Sequence, residues 1–218
     1  MGHHRDGRDH RTGDGRAVTT WLTRNRWGLL ALPITVALAV GANAQRLPDF
    51  WWNDDLRKPA ATGAPGEWLT WTDSFDDSAG PGTRTFRVKV TGTEPVTAPA
   101  GVDLPPDLTA WRVTMDFHAS PDQVLYGCSL ALRDDHGNRY DYHAAVDHLV
   151  QDDWPCLPGH RVGPRPSLTP GRPRAALSGE ERPAHWTTQP MVLAPRSARI
   201  TGVLLWWEQP DHVVVQLD

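Results

Sequence analysis

The sequence predicts an all-β sandwich preceded by a single N-terminal transmembrane helix. Two observations carry the sandwich. Apolar residues recur at every second position in successive segments after Thr85, and short links rich in Gly, Pro and Asp separate those segments. A third carries the helix: residues 27–44 (WGLLALPITVALAVGANA) contain no charged side chain, and Arg24 and Arg26 stand just before them. No stretch after Ala44 keeps a period of 3.6 over three turns.

Taken in chain order, residues 1–26 read as a disordered cytoplasmic tail. Residues 1–16 hold no apolar side chain beyond Met1, so nothing offsets the entropy of ordering them. His3, His4 and His10 lie there with nothing to fix their imidazoles in one geometry, and they read as solvated. Residues 27–44 read as a transmembrane helix or signal anchor in contact with membrane lipid. As a helix they span about 27 Å, close to a hydrocarbon core of about 30 Å. Trp21 and Trp27 on one side, and Phe50, Trp51 and Trp52 on the other, would form interfacial belts. The same run also fits a cleavable export signal, with Gly28 to Val40 as its apolar centre and Ala42-Asn43-Ala44 as a cleavage site before Gln45. On either reading Arg24 and Arg26 keep the N-terminus inside and place residues 45–218 outside the cytoplasmic membrane. Residues 45–84, with Pro59, Gly63, Pro65, Gly66 and the breaker-rich stretch from Asp73 to Gly82, read as a juxtamembrane spacer.

Residues 85–218 read as the sandwich. Thr85 to Val90 alternates polar and apolar, and Trp111 to Phe117 alternates again, placing Trp111, Val113, Met115 and Phe117 on one face. Tyr126 to Leu132 is a more continuous apolar strand, joined to Arg139–Ala145 by Asp134-Asp135-His136-Gly137-Asn138, where Gly accepts the positive φ of a hairpin. Trp186 to Leu193 contains Pro190 and so belongs at an edge or is interrupted there. Ile200 to Glu208 and His212 to Leu217 complete the set, about seven strands at sandwich spacing. Residues 157–184 hold six prolines and read as an irregular excursion over the surface.

Six of the 22 basic and three of the 26 acidic residues fall in residues 1–26, which leaves 16 basic and 23 acidic residues in the exported part. A weakly acidic domain argues against a nucleic-acid partner, which calls for a basic face. Cys128 and Cys156, the two cysteines, are expected to pair, as exported proteins allow. The loop they close, about 29 residues, corresponds to about 3.6 kcal/mol on the chain-entropy estimate. Their spacing excludes C-x-x-C redox chemistry, and two thiols alone make a poor zinc site.

Asp134, Asp135, His136 and Asn138, with Asp141 and His143 nearby, form the densest polar cluster. It lacks the alternating acidic ladder of a calcium loop and reads as a solvated hairpin tip. Asp147-His148 and Asp152-Asp153 offer carboxylate–imidazole combinations, but no hydroxyl nucleophile stands in a recognisable elbow. No catalytic residue, metal ligand or cofactor is therefore assigned. Among the eleven tryptophans, Trp206 and Trp207 are strand neighbours and should point to opposite faces, one exposed unless the excursion covers it. Trp68, Trp71, Trp154 and Trp207 make up the candidate binding surface, able to stack on sugar rings or anchor a protein interface.

Three segments carry a resemblance: Val113-Thr114-Met115-Asp116-Phe117, Leu130 to Tyr140 with its D-x-x-G turn and subsequent aromatic, and Gly202-Val203-Leu204-Leu205-Trp206-Trp207-Glu208-Gln209-Pro210. Their order resembles the telokin-like, immunoglobulin-type sandwiches of bacterial cell-surface proteins, a family known mostly as a domain of unknown function. The resemblance covers about Phe86 to Leu217; the cysteine pair and the proline-rich insert depart from it. It implies an immunoglobulin-like β-sandwich, tethered or secreted, with no catalytic residues to carry over. The expected role is a non-enzymatic binding or accessory module with a protein partner in a membrane or envelope complex. The alternatives are a carbohydrate or cell-wall module working through exposed Trp, and a small exported hydrolase.

Overall fold

The computed structural model describes residues 21, 24–44, 56, 59–97, 102–146, 149–159, 161–170 and 181–217. The chain divides into two units, residues 1–51 and 52–218. The first contains helix α1 (Arg26–Asn43), in which Pro33 removes one backbone donor and the Thr35 hydroxyl bonds back to the carbonyls of Ala31 and Leu32. Its apolar side chains are open on several sides, with Leu30, Ile34 and Leu38 each more than 60% exposed. Among the described residues no helix is long and apolar enough to cross a membrane. The tail histidines, Phe50, Trp51, Trp52 and the residue after the A-x-A site lie outside the described residues.

The second unit is all β. Its strands are β1 (Ala61–Gly63), β2 (Leu69–Asp77), β3 (Gly80–Val96), β4 (Leu108–His118), β5 (Ser129–Asp134), β6 (Arg139–Asp141), β7 (Ala145–Val146), β8 (Leu149–Val150), β9 (His185–Thr188), β10 (Met191–Pro195), β11 (Ile200–Trp206) and β12 (Val213–Gln216). One sheet runs β1-β12-β11-β5-β6 and the other β10-β4-β3-β2, with β9 also on β4; β7 and β8 pair alone. Every pairing is antiparallel except β1 on β12. The expected break at Pro190 separates β9 from β10 along the edge of the second sheet.

The core lies between the sheets. Phe86, Val88 and Val90 of β3, and Val113, Met115 and Phe117 of β4, face Leu130 and Leu132 of β5 and Val203 and Leu205 of β11, all buried. Alternation with a period of two is what puts one apolar row per strand there.

Three expectations need correction. The stretch expected to be a spacer up to residue 84 contains β1, β2 and the start of β3, and β2 alternates buried Leu69, Trp71, Asp73 and Phe75 with exposed neighbours. The acidic residues between Asp73 and Asp77 disguise that period, because Asp73 faces inward against the buried Arg84. The strand expected from Tyr126 starts instead at Ser129, after a turn in which Gly127 takes φ 88°. Finally, Trp206 and Trp207 are both buried. Trp207 sits in the main core, and Trp206 packs with Leu56, Ala131, Leu204 and Val214 on the outer face, so the chain before β1 provides the cover.

The described residues of the excursion, 157–159, 161–170 and 181–184, form none of the strands above. Arg182 anchors them. It is 1% exposed and donates to the carbonyls of Gln123 and Ser120 at 3.0 and 2.7 Å, with its guanidinium 4.9 Å from the Trp186 ring centroid. Burial lowers its pKa to about 10, against the pull of Asp122, so it remains charged at neutral pH.

Candidate functional site

The Cys128–Cys156 disulfide, with Cα atoms 6.2 Å apart, ties the segment after β8 to the entry of β5. The Cys156 amide donates to Cys128 Sγ, and the Trp186 indole donates to the Cys156 carbonyl at 2.8 Å. Upstream, the Gln151 side chain imitates a strand partner. Its Oε1 accepts from the Met191 amide at 2.7 Å, and its Nε2 donates to the Met191 carbonyl at 2.8 Å. The chain from Gln151 to Gly159 is thereby held across the β9–β10 break.

Between the two lies a cleft of about 560 Å³, bordered by Tyr142, Asp152, Trp154, Gly159, Thr188 and Gln189 among others. That volume falls inside the roughly 300–1,000 Å³ span of small-molecule sites. Trp154 is half-buried and packs on Tyr126 at 4.3 Å between centroids, and Arg165 lies 4.6 Å over the Tyr126 ring. The Tyr142 hydroxyl donates to the Asp152 carbonyl. Burial, then the charges of Asp152 and Asp153, push its pKa up to about 12, so it stays a donor. The Asp152 carboxylate rests against Gly159, where a Cβ would stand 3.3 Å from Oδ1. Thr188 Oγ1 is buried without a hydrogen-bond partner. Two smaller depressions, of about 250 and 330 Å³, adjoin Trp154, one toward Arg165 and the other toward Asp141 and His143.

Of the four candidate tryptophans only Trp154 borders this cleft. Trp71 and Trp207 are 5% and 7% exposed and meet edge-to-face in the core with Phe86. The Trp207 indole donates to the Leu125 carbonyl at 2.8 Å. Trp68 is half-buried beneath Arg87 and Lys89, whose charged groups stand 5.0 and 4.8 Å from its ring centroid. In α1, Arg26 lies 5.5 Å over the Trp27 ring, and Arg24 is exposed. Asp147 and His148 lie outside the described residues.

The Asp134 turn groups ligand-type atoms of Asp134, Asp135 and His136 within 4.8 Å. Both Asp134 oxygens are already occupied. Oδ1 accepts from the His136 and Asn138 amides, and Oδ2 from Asn138 Nδ2 and the Tyr140 hydroxyl at 2.7 Å. Burial alone would raise the Asp134 pKa, yet these donors hold it at about 2. With Gly137 at φ 84°, the cluster is a hairpin closure, and the His136–Asp135 contact sits at its tip with His136 80% exposed.

Another charged group is structural in the same sense. Arg84 is buried between Asp73 and Glu208, both at 2.8 Å, with the Phe75 centroid 4.7 Å away. Burial pushes Asp73 above its ordinary pKa despite the neighbouring guanidinium.

Sequence reasoning misses Tyr142, Thr188 and Gln189 as cleft residues. Their signal is Thr187-Thr188-Gln189-Pro190, a polar interruption of an apolar edge strand, but only folding brings it opposite Trp154. No protein-family model, curated protein or solved structure matches the chain.

Proposed function

We propose that this chain is a non-enzymatic binding module of the cell envelope, displayed outside the cytoplasmic membrane and receiving its ligand in the Trp154 cleft. The carrying observation is that cleft: a disulfide and a Gln151 clasp hold its walls, and the half-buried Trp154 borders it with the exposed Asp152 and Gln189. Export accords with the pairing of the cysteines, since disulfides persist in oxidising compartments. It accords also with the uncharged run 27–44 behind Arg24 and Arg26, whose helix presents Leu30, Ile34 and Leu38 outward as a lipid tether or an export signal would.

An immunoglobulin-like arrangement, as in the telokin-like cell-surface sandwiches, is supported by strand order. β10-β4-β3 corresponds to E-B-A, and β12-β11-β5-β6 to G-F-C-C′. The chain departs from that scheme in the parallel β1, the extra edge strand β2, and a disulfide that does not join the two sheets through B and F.

The test is intact mass and topology of protein taken from membranes. Residues 1–44 present or removed, two hydrogens missing, and protease access to the sandwich from outside intact cells are expected. Free thiols with the sandwich protected until lysis would overturn the reading.

A further inference from the structure

The chemistry of the cleft specifies its ligand more closely. We infer that it takes a neutral saccharide, with Trp154 as the stacking surface and the Asp152 carboxylate and Gln189 amide bonding to sugar hydroxyls; this rests on the reading of the cleft as the binding site. A pyranose presents C–H groups on its faces and hydroxyls around its rim. A site for it therefore needs an aromatic plate beside fixed acceptors and donors. Trp154 supplies the plate. Its contact with Tyr126, itself covered by Arg165, fixes the indole before any ligand arrives. The same residue borders the cleft and both adjoining depressions.

The polar groups are of the required kind. Asp152 is an acceptor for hydroxyls and Gln189 offers both donors and an acceptor, and both side chains are exposed. Asp152 and Asp153 outnumber Arg165 in the depression beside Trp154, so an anionic polymer would meet net repulsion there. The rest of the unit offers less to a protein partner. Among its described residues Leu168 is the one large apolar side chain fully open to solvent, and a single exposed Leu makes no interface core.

The experiment uses the full chain in a detergent without a sugar headgroup, titrated calorimetrically with tetrasaccharides. The neutral set is the β-1,4 N-acetylglucosamine tetramer, maltotetraose and mannotetraose, and the anionic control is tetragalacturonate. Binding of at least one neutral tetramer is expected, weakened at least tenfold by Trp154→Ala, partly restored by Trp154→Phe, weakened by Gln189→Ala, and unchanged by Trp68→Ala. A thermal melt of each variant separates lost binding from lost folding. No binding across the neutral set, preference for tetragalacturonate, or indifference to Trp154→Ala overturns the inference. In a parallel arm a photo-crosslinker replaces Gln189 in living cells. Capture of a protein there with a blank saccharide titration would retain the cleft as the binding site and reject the sugar. A blank in both arms rejects the two readings together.

Discussion

The Asp134 turn and the Trp154 cleft are built from similar residues, carboxylates beside aromatics and amides, yet they do opposite things. At the turn, Asp134 accepts four hydrogen bonds from residues close by in the chain, and nothing is left over for a ligand. In the cleft, Gln151 and the Tyr142 hydroxyl are taken up in holding the walls, while the side chains of Asp152 and Gln189 border the open space. A dense polar composition therefore does not mark a site; what a ligand can use is exposed polar groups bordering a concave space.

Four expected outcomes sharpen or break that contrast. The largest concerns a tryptophan that belongs to neither region. Trp207→Ala should cost about 3–5 kcal/mol, since the ring is buried among Trp71, Phe86 and Arg84, and chemical denaturation measures it. Next, Asp134→Ala should cost about 2–4 kcal/mol by stranding four donors, with no effect of calcium on the melting temperature of the parent chain. A calcium-dependent rise would make the turn a metal site after all.

A third outcome uses pH. Burial holds the His212 pKa below 6.5, so the unfolded chain binds that proton more readily than the folded one. Stability from this group is complete above about pH 6.5 and is lost as pH falls below it. Asp134, lowered to about 2, adds a second loss between about pH 4 and 2. Asp73, whose pKa is raised, works the other way, because its protonation favours the folded chain just above the ordinary carboxylate range. Melting temperatures should be flat above about pH 7 and decline as pH falls below about 6.5, and His212→Asn should remove that first slope.

The smallest effect on stability is the one tied to function. Trp154→Ala should cost about 1 kcal/mol, because the half-buried ring loses chiefly its pairing with Tyr126. A loss as large as that of Trp207→Ala would recast Trp154 as core and weaken the case for a site.

How legible each element is in the sequence depends on where its signal resides. The strands at Thr85–Val90 and Trp111–Phe117, the Gly137 hairpin and the Pro190 break are local patterns, and the fold keeps each of them in place. The cysteine pairing is legible from the count of two. β2 is hidden because an inward carboxylate spoils alternation unless its partner Arg84, eleven residues on, is known to be opposite. The cover over Trp206 is hidden for a similar reason, since Leu56 is distant in sequence from every residue it touches in that cluster. The cleft is the least legible element. Trp154 stands out in the sequence, but Tyr142, Thr188 and Gln189 join it only through the register of β9 on β4 and the Gln151 clasp.

The contrast between the closed turn and the open cleft is tested most directly by an amide and indole NMR titration of the isotope-labelled full chain, first with the neutral tetrasaccharides and then with calcium. The account predicts that a saccharide shifts the Trp154 indole and the Thr188 and Gln189 amides while calcium leaves the His136 and Asn138 amides in place. Calcium-induced shifts at His136 and Asn138, with the cleft signals unmoved by every saccharide, would contradict it.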